Sequence, residues 1–150
     1  MKNLIDTLKD KWKDVDYPFL IHPSVQLKFS DIAKHNPIDL SKVKMGDVVA
    51  LIGDFDPSSI LTLLRIIDLG VIVVPLTKET KKNHQYFFNS ALVDVVIEDG
   101  KVERYYHNNQ HKLINQLRKK KHAGLVLFST GTTGRPKAIL HDLTIFLKRF

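Results

Sequence analysis

Short apolar runs alternate with longer segments of helical periodicity through most of the chain. The runs are rich in valine and isoleucine and nearly unbroken, which is typical of strands buried on both faces of a parallel sheet. The predicted strands are 47–52, 71–74, 93–98, 102–106, 124–128 and 138–140. The predicted helices are 58–69, 80–92, 109–121 and a final helix that begins at Asp142. This alternation predicts an α/β fold with a mainly parallel sheet flanked by helices.

Single residues predict where these helices and strands end and which side chains point into the core. Gly70 ends the helix at 58–69, because glycine readily adopts the left-handed conformation at a helix C-terminus. Asp99-Gly100 predicts a turn that pairs strand 102–106 antiparallel with the strand before it. The residues expected to face inward from helix 109–121 are Leu113, Ile114 and Leu117. Tyr105 and Tyr106 are expected to pack within their strand.

The first 35 residues predict a helix, two short strands and a second short helix. An amphipathic helix comes first, and Tyr17-Pro18 ends it because proline disfavours a helical residue before it. Its apolar face comprises Leu4, Ile5, Leu8, Trp12 and Val15. Two short strands, 19–21 and 25–29, follow. Ser30 is then expected to cap a short helix that runs through His35.

Composition narrows the class of protein. The chain has 150 residues, 43% apolar and 26% charged, which are values of a globular domain rather than a disordered chain. The absence of cysteine excludes disulfides, thiolate metal sites and cysteine nucleophiles. No apolar run reaches the ~20 residues of a membrane-spanning helix. The charged N-terminus differs from a secretory signal, so a cytoplasmic location is expected.

Charge is distributed unevenly between the two halves. Residues 1–75 carry a net charge of −1 and residues 76–150 a net charge of +8, in agreement with +7 for the whole chain. A basic half suits an anionic partner, which is a nucleic acid, a membrane headgroup or a polyphosphate. Charge alone does not choose among these three partners.

A loop after the strand at 124–128 points to the polyphosphate. It reads Ser129-Thr130-Gly131-Thr132-Thr133-Gly134-Arg135-Pro136-Lys137. The glycines allow the backbone to approach a ligand closely, the hydroxyls donate hydrogen bonds, and the arginine and lysine add positive charge. The loop leaves the carboxyl end of a strand, where ligands of α/β sheets bind. The spacing differs from a Walker A loop, which places Gly-Lys-Ser/Thr together.

The stretch from Val126 to His141 resembles the AMP-binding signature of the acyl-adenylate-forming superfamily, to which acyl-CoA synthetases belong. Met45 to Ile52 and Asp68 to Leu76 resemble a second block of that family, and Phe19 to Lys34 resembles its opening hairpin and helix. The resemblance therefore covers nearly the whole chain. Ala138 departs from the family pattern, which has glycine after the lysine.

The resemblance implies a two-step reaction. ATP and a carboxylic acid form an acyl-adenylate and pyrophosphate, and the acyl group then passes to an acceptor such as CoA or a carrier protein. It implies ATP and Mg²⁺ as cofactors, with the loop 129–137 on the β- and γ-phosphates and His141 near the acyl pocket. The family's adenine site, magnesium ligand and catalytic lysine come after residue 150. We therefore expect residues 1–150 to be a single partial domain, the N-terminal portion of such an enzyme, inactive alone and prone to self-association.

Other interpretations remain open on the residues themselves. The chain is alternatively a non-catalytic α/β module that binds anions or serves assembly. The basic run at 118–122 is typical of a solvated helix end, and a nucleic-acid patch is the less favoured interpretation. His107 and His111 lie four residues apart and could ligate a metal from one helix face, but no third ligand is nearby. Asp54 and Asp56 are read as a turn and a helix cap rather than ligand contacts.

Overall fold

The computed structural model describes residues 4–32, 34, 38–130 and 134–149. The strands are β1 (Leu20–His22), β2 (Val25–Leu27), β3 (Val48–Ile52), β4 (Ile72–Leu76), β5 (Val95–Glu98), β6 (Lys101–Arg104), β7 (Gly124–Ser129) and β8 (Lys137–Asp142). The helices are α1 (Leu4–Trp12), α2 (Pro57–Asp68), α3 (His84–Ala91), α4 (Lys112–Lys120) and α5 (Leu143–Leu147), with 3₁₀ helices at Phe29–Asp31 and Lys78–Asn83.

Six of these strands form one mixed sheet in the order β6-β5-β3-β4-β7-β8. The four central strands are parallel, and β6 and β8 pair antiparallel at the two edges. The predicted α/β class with a mainly parallel sheet is confirmed. The predicted antiparallel pairing after Asp99-Gly100 is confirmed as well, since Val96 pairs with Glu103.

The core has one layer on each face of the sheet. Alternate residues of β3, such as Val48 and Ala50, point to the face covered by α3 and α4. The intervening residues Val49 and Leu51 pack on the face that α2 covers. Every residue of β3 is buried, because helices on both faces exclude water from the central strands.

The N-terminal segment forms a third apolar cluster against α2. α1 ends at Trp12, earlier than Tyr17-Pro18 predicted, and the Trp12 ring lies 6.3 Å from that of Phe29. The assignment of Ser30 as an N-cap is wrong, because Ser30 lies inside the 3₁₀ helix. The carboxylate of Asp31 accepts the backbone N–H of Lys28 at 3.3 Å instead. His35, the predicted end of this helix, lies outside the described residues.

Three local start and stop signals are confirmed. Asp56 caps α2 by accepting the N–H of Ser59 at 3.0 Å. Gly70 follows α2 with φ +73°, a conformation that favours glycine. Asp142 caps α5 by accepting the N–H of Ile145 at 3.1 Å.

Other expectations about helices need correction. The predicted helix at 80–92 is a 3₁₀ helix followed by α3, and Leu92 ends α3 in a left-handed conformation with φ +56°. Leu113 is 49% exposed, whereas Ile114 and Leu117 pack in the core, so only these two of the three residues predicted to face inward do so. Tyr106 comes after the end of β6 and is 90% exposed, so it does not pack within a strand. No described helix has both the length and the apolar character needed to cross a membrane.

Candidate functional site

The loop from Ser129 to Lys137 lies at the carboxyl edge of the sheet. It joins β7 to β8, and its first and last residues face each other in the antiparallel register. Because β3, β4, β5 and β7 are parallel, their carboxyl ends share this edge. Ligands of α/β sheets bind at this edge, so the placement agrees with the one that the sequence predicted.

The described part of the loop is open to solvent. Thr130, Gly134, Arg135 and Lys137 are exposed, and a Cβ built at Gly134 would meet no atom within 4 Å. The backbone N–H of Lys137 donates to the hydroxyl of Ser129 at 3.3 Å and closes the base of the loop. The predicted phosphate-binding residues Gly131, Thr132 and Thr133 lie outside the described residues.

Two cations of the loop have no acidic partner among the residues that the structure describes. Within the described part of the chain, no carboxylate lies within salt-bridge distance of Arg135 or Lys137. No ion pair with a described residue therefore neutralises their positive charge. An anion at the loop would meet two available donors rather than existing ion pairs.

Tyr86 fixes the exit of the loop, a role that sequence reasoning missed. Its hydroxyl donates to the carbonyl oxygen of Pro136 at 2.7 Å. The guanidinium of Arg135 lies 5.4 Å from the centre of the same ring, a cation–π distance. The neighbouring Phe87 holds α3 on the sheet, with its ring centre 4.3 Å from that of Phe128. The signal for it in the sequence is the aromatic triplet at 86–88, a pattern that indicates packing and not a polar contact with the loop.

His141 is exposed on β8, where it pairs with Leu125. It shares a strand face with Lys137, since the two residues are four positions apart on one strand. At the rise of an antiparallel strand they are separated by about 14 Å. The described structure therefore does not bring His141 to the loop.

The proposed histidine pair does not form a metal site. His107 precedes α4 and lies 3.2 Å from Asp94, whereas His111 caps α4 by accepting the N–H of Leu113 at 3.3 Å. The spacing of four residues had suggested that the two rings could share one helix face. They do not, because His107 lies before the helix begins. Among the described residues no group of three His, Asp or Glu could hold a metal ion.

The basic run that ends α4 begins with a structural arginine. Arg118 donates to the carbonyl oxygen of Gly46 at 2.8 Å and to Asp94 at 2.8 Å. Lys119, Lys120 and Lys121 are exposed around the end of the helix. This arrangement agrees with the interpretation of a solvated helix end, where cations also suit the helix dipole.

Comparison with known proteins gives similarity in structure only. No model of a protein family matches the chain, and no curated protein matches it. The N-terminal subdomain of Klebsiella oxytoca NpsA superposes with a TM-score of 0.66 at 17% sequence identity, over 93% of this chain and 40% of that one. The chain has the fold of this N-terminal subdomain. VinN superposes equally well, at 16% identity over 95% of this chain and 46% of its own.

The chain thus spans less than half the length of either solved structure. The NpsA subdomain has also been solved in complex with 3-hydroxybenzoyl-AMSN and with 3-hydroxyanthranilyl-AMSN. The first complex matches with a TM-score of 0.65 and the second with 0.64. At this level of identity the comparison establishes the fold of the chain.

Proposed function

We propose that the Ser129–Lys137 loop binds the phosphates of ATP as part of an enzyme that activates carboxylic acids as acyl-adenylates. The observation that carries the proposal is a hydroxyl-rich loop at the carboxyl edge of a parallel sheet, with two cations that form no ion pair with a described residue. The fold shared with NpsA, which was solved with adenylate analogues, supports the same chemistry. In this proposal residues 1–150 are the N-terminal portion of the catalytic unit.

The reaction follows from the charge that develops on the leaving group. A carboxylate oxygen of the substrate attacks the α-phosphorus of ATP, and the bond to the bridging oxygen of the β-phosphate breaks. Negative charge accumulates on the departing pyrophosphate, where the hydroxyls of the loop, Arg135 and Lys137 supply preorganised donors. The acyl group then moves to a thiol of CoA or a carrier protein, which releases AMP.

Mg²⁺ has no evident protein site in this part of the chain. The described residues offer no cluster of three carboxylates or imidazoles, and the exposed loop is cationic. In the proposed mechanism the described residues bind the phosphates and do not hold the metal.

Calorimetric titration of the purified chain with ATP and with pyrophosphate tests the loop. Lys137→Ala is expected to lower affinity about tenfold, because it removes a charged hydrogen-bond donor. Lys120→Ala is the matched control, since Lys120 is an equally exposed lysine at the end of α4 and carries the same charge. Equal affinities for the wild type and Lys137→Ala would refute the loop assignment.

We also propose that the chain self-associates through the face of the β7–β8 hairpin that α2 leaves uncovered. Leu127 and Ile139 pair directly on this face and are 43% and 45% exposed. A second copy that covers them would remove this apolar surface from water. Sedimentation velocity over a concentration series should show a dimer that Ile139→Lys dissociates. A wild-type monomer at every concentration would contradict the proposal.

A further inference from the structure

A cavity of about 320 Å³ lies at the carboxyl edge of the sheet, apart from the loop. It opens between the ends of β3 and β5, below the first turn of α2. The apolar part of its wall is formed by Ile38, Leu51 and Ile97. The backbone of Gly53 and Gly100 also lines it.

The cavity lies between the connections that follow β3 and β5. After β3 the chain passes through α2 to β4 on one side of β3, whereas after β5 it turns to β6 on the opposite side. The two connections leave in opposite directions and open a crevice between the strand ends. Crevices of this kind are the usual ligand sites of open α/β sheets.

Thr62 adds a hydroxyl group to the lining of the crevice. It lines the cavity and is only 3% exposed, yet its hydroxyl has no hydrogen bond to any part of the chain that the structure describes. The hydroxyl is accessible from the cavity, where it can bond to water or to a ligand. A ligand hydroxyl in the cavity would supply such a partner.

The rim combines donors and acceptors. Asp54 accepts a hydrogen bond from the backbone N–H of Lys78 at 3.0 Å. Asp99 accepts one from the ammonium group of the same lysine at 2.6 Å. Each carboxylate uses one oxygen in these bonds and keeps the other for a ligand. The carboxylate of Asp56, by contrast, is occupied by Ser59, at 3.0 Å from its N–H and 2.5 Å from its hydroxyl.

The electrostatic balance favours a neutral ligand. The carboxylates oppose an anion, whereas Lys78 and the positive end of the α2 dipole oppose a cation. A hydroxyl group satisfies both kinds of neighbour, since it donates to a carboxylate and accepts from an ammonium. Two adjacent hydroxyls could reach Asp54 and Asp99 together.

We propose that this cavity binds the vicinal diol of a neutral small molecule, either a sugar or the ribose of a nucleoside. The diol hydrogen-bonds to Asp54, Asp99 and Thr62, and the carbon face of the ring packs on Leu51 and Ile97. This site is separate from the Ser129–Lys137 loop and does not depend on the function proposed for it.

The test titrates the whole chain with glucose, adenosine and 2′-deoxyadenosine by calorimetry, with NMR shifts of the Thr62 methyl group as a local readout. We expect glucose or adenosine to bind and 2′-deoxyadenosine, which lacks the vicinal diol, to bind more weakly. Glucose binding alone identifies a sugar site, and adenosine binding alone a nucleoside site. Thr62→Val should weaken the bound diol roughly fivefold, because it removes one neutral hydrogen bond and keeps the side-chain shape.

Two controls distinguish an effect on diol binding from an effect on protein stability and from an effect of the Ser129–Lys137 loop. In the free chain Thr62→Val should leave the melting temperature nearly unchanged. Thr144→Val should lower it and leave diol affinity unchanged, since the Thr144 hydroxyl accepts the N–H of Ala123 elsewhere in the fold. Lys137→Ala should also leave diol affinity unchanged. The proposal is overturned if neither diol binds, if 2′-deoxyadenosine binds as well as adenosine without glucose binding, or if Thr62→Val binds the diol as tightly as the wild type.

Discussion

Replacing Gly53 by alanine should disrupt the contact between β3 and α2. A Cβ at this position would lie 2.0 Å from the hydroxyl oxygen and 2.7 Å from the Cβ of Ser59. Rotation of the Ser59 hydroxyl can relieve the first contact but not the second, so the first turn of α2 must move. Gly53 itself does not have a positive φ, so the effect comes from this contact rather than from backbone strain.

The magnitude of the effect follows from two contributions. Inserting a methyl group into a packed contact costs about 1–3 kcal/mol. Displacing Ser59 also weakens the cap of α2, where Asp56 accepts its N–H and hydroxyl, and losing such a cap costs about 1 kcal/mol. We therefore expect Gly53→Ala to lower the free energy of unfolding by about 2–4 kcal/mol, a large part of the stability of a small domain.

Urea denaturation of a double-mutant cycle with Ser59→Gly measures whether this contact is the cause. With the Ser59 side chain removed, Gly53→Ala should cost less than about 1 kcal/mol, so the two substitutions should be strongly non-additive. Additive effects, or a cost below about 1 kcal/mol in the wild-type background, would refute the steric argument.

Three further predictions concern the loop, a helix cap and the core. Tyr86→Phe should weaken ATP binding a few-fold in calorimetry without loss of the fold, because it releases only the bond to the loop exit. Partial burial raises the pKa of Asp142, but bonds from His122 and a backbone N–H outweigh it and lower the pKa below 3.8. The ionised Asp142 carboxylate therefore stabilises the fold fully above pH 3.8, and this contribution is lost as pH falls through the pKa of the folded state. In Asp142→Asn the free energy of unfolding should depend less on pH in the acid range. In urea, Ile114→Ala should cost about 2–4 kcal/mol and the neighbouring Leu113→Ala less than about 1 kcal/mol; equal costs would contradict the burial assignment.

Sequence was informative where the cause of a structure is local. The caps Asp56 and Asp142 satisfy N–H groups three residues away, and Gly70 takes a conformation that few other residues adopt. The buried strands were readable because helices cover both faces of the sheet and leave nearly continuous apolar runs. The loop at 129–137 was found for the same reason, since its residue types and its strand are contiguous.

Features that depend on distant partners were missed. The side chains of Leu113 and Ile114 are both apolar, and the packing of α4 on the sheet decides which one is buried. Tyr86 contacts a carbonyl oxygen 50 residues away, which no local pattern reports. The cavity beside Thr62 arises from the order of β5 and β3, and strand order is not encoded in periodicity.

The order of the strands also sets how the chain must collapse. The β7–β8 hairpin closes a short loop, but the central β3 gains a neighbour on one side only when β5 arrives, with Val49 paired to Val95. The chain must lose the entropy of closing this long loop before the hydrogen bonds of the parallel pair can form. Pairing of this kind is therefore slower than the formation of local contacts. We therefore expect the hairpin that carries the loop to form early in refolding, and docking of β5 beside β3 to limit the rate.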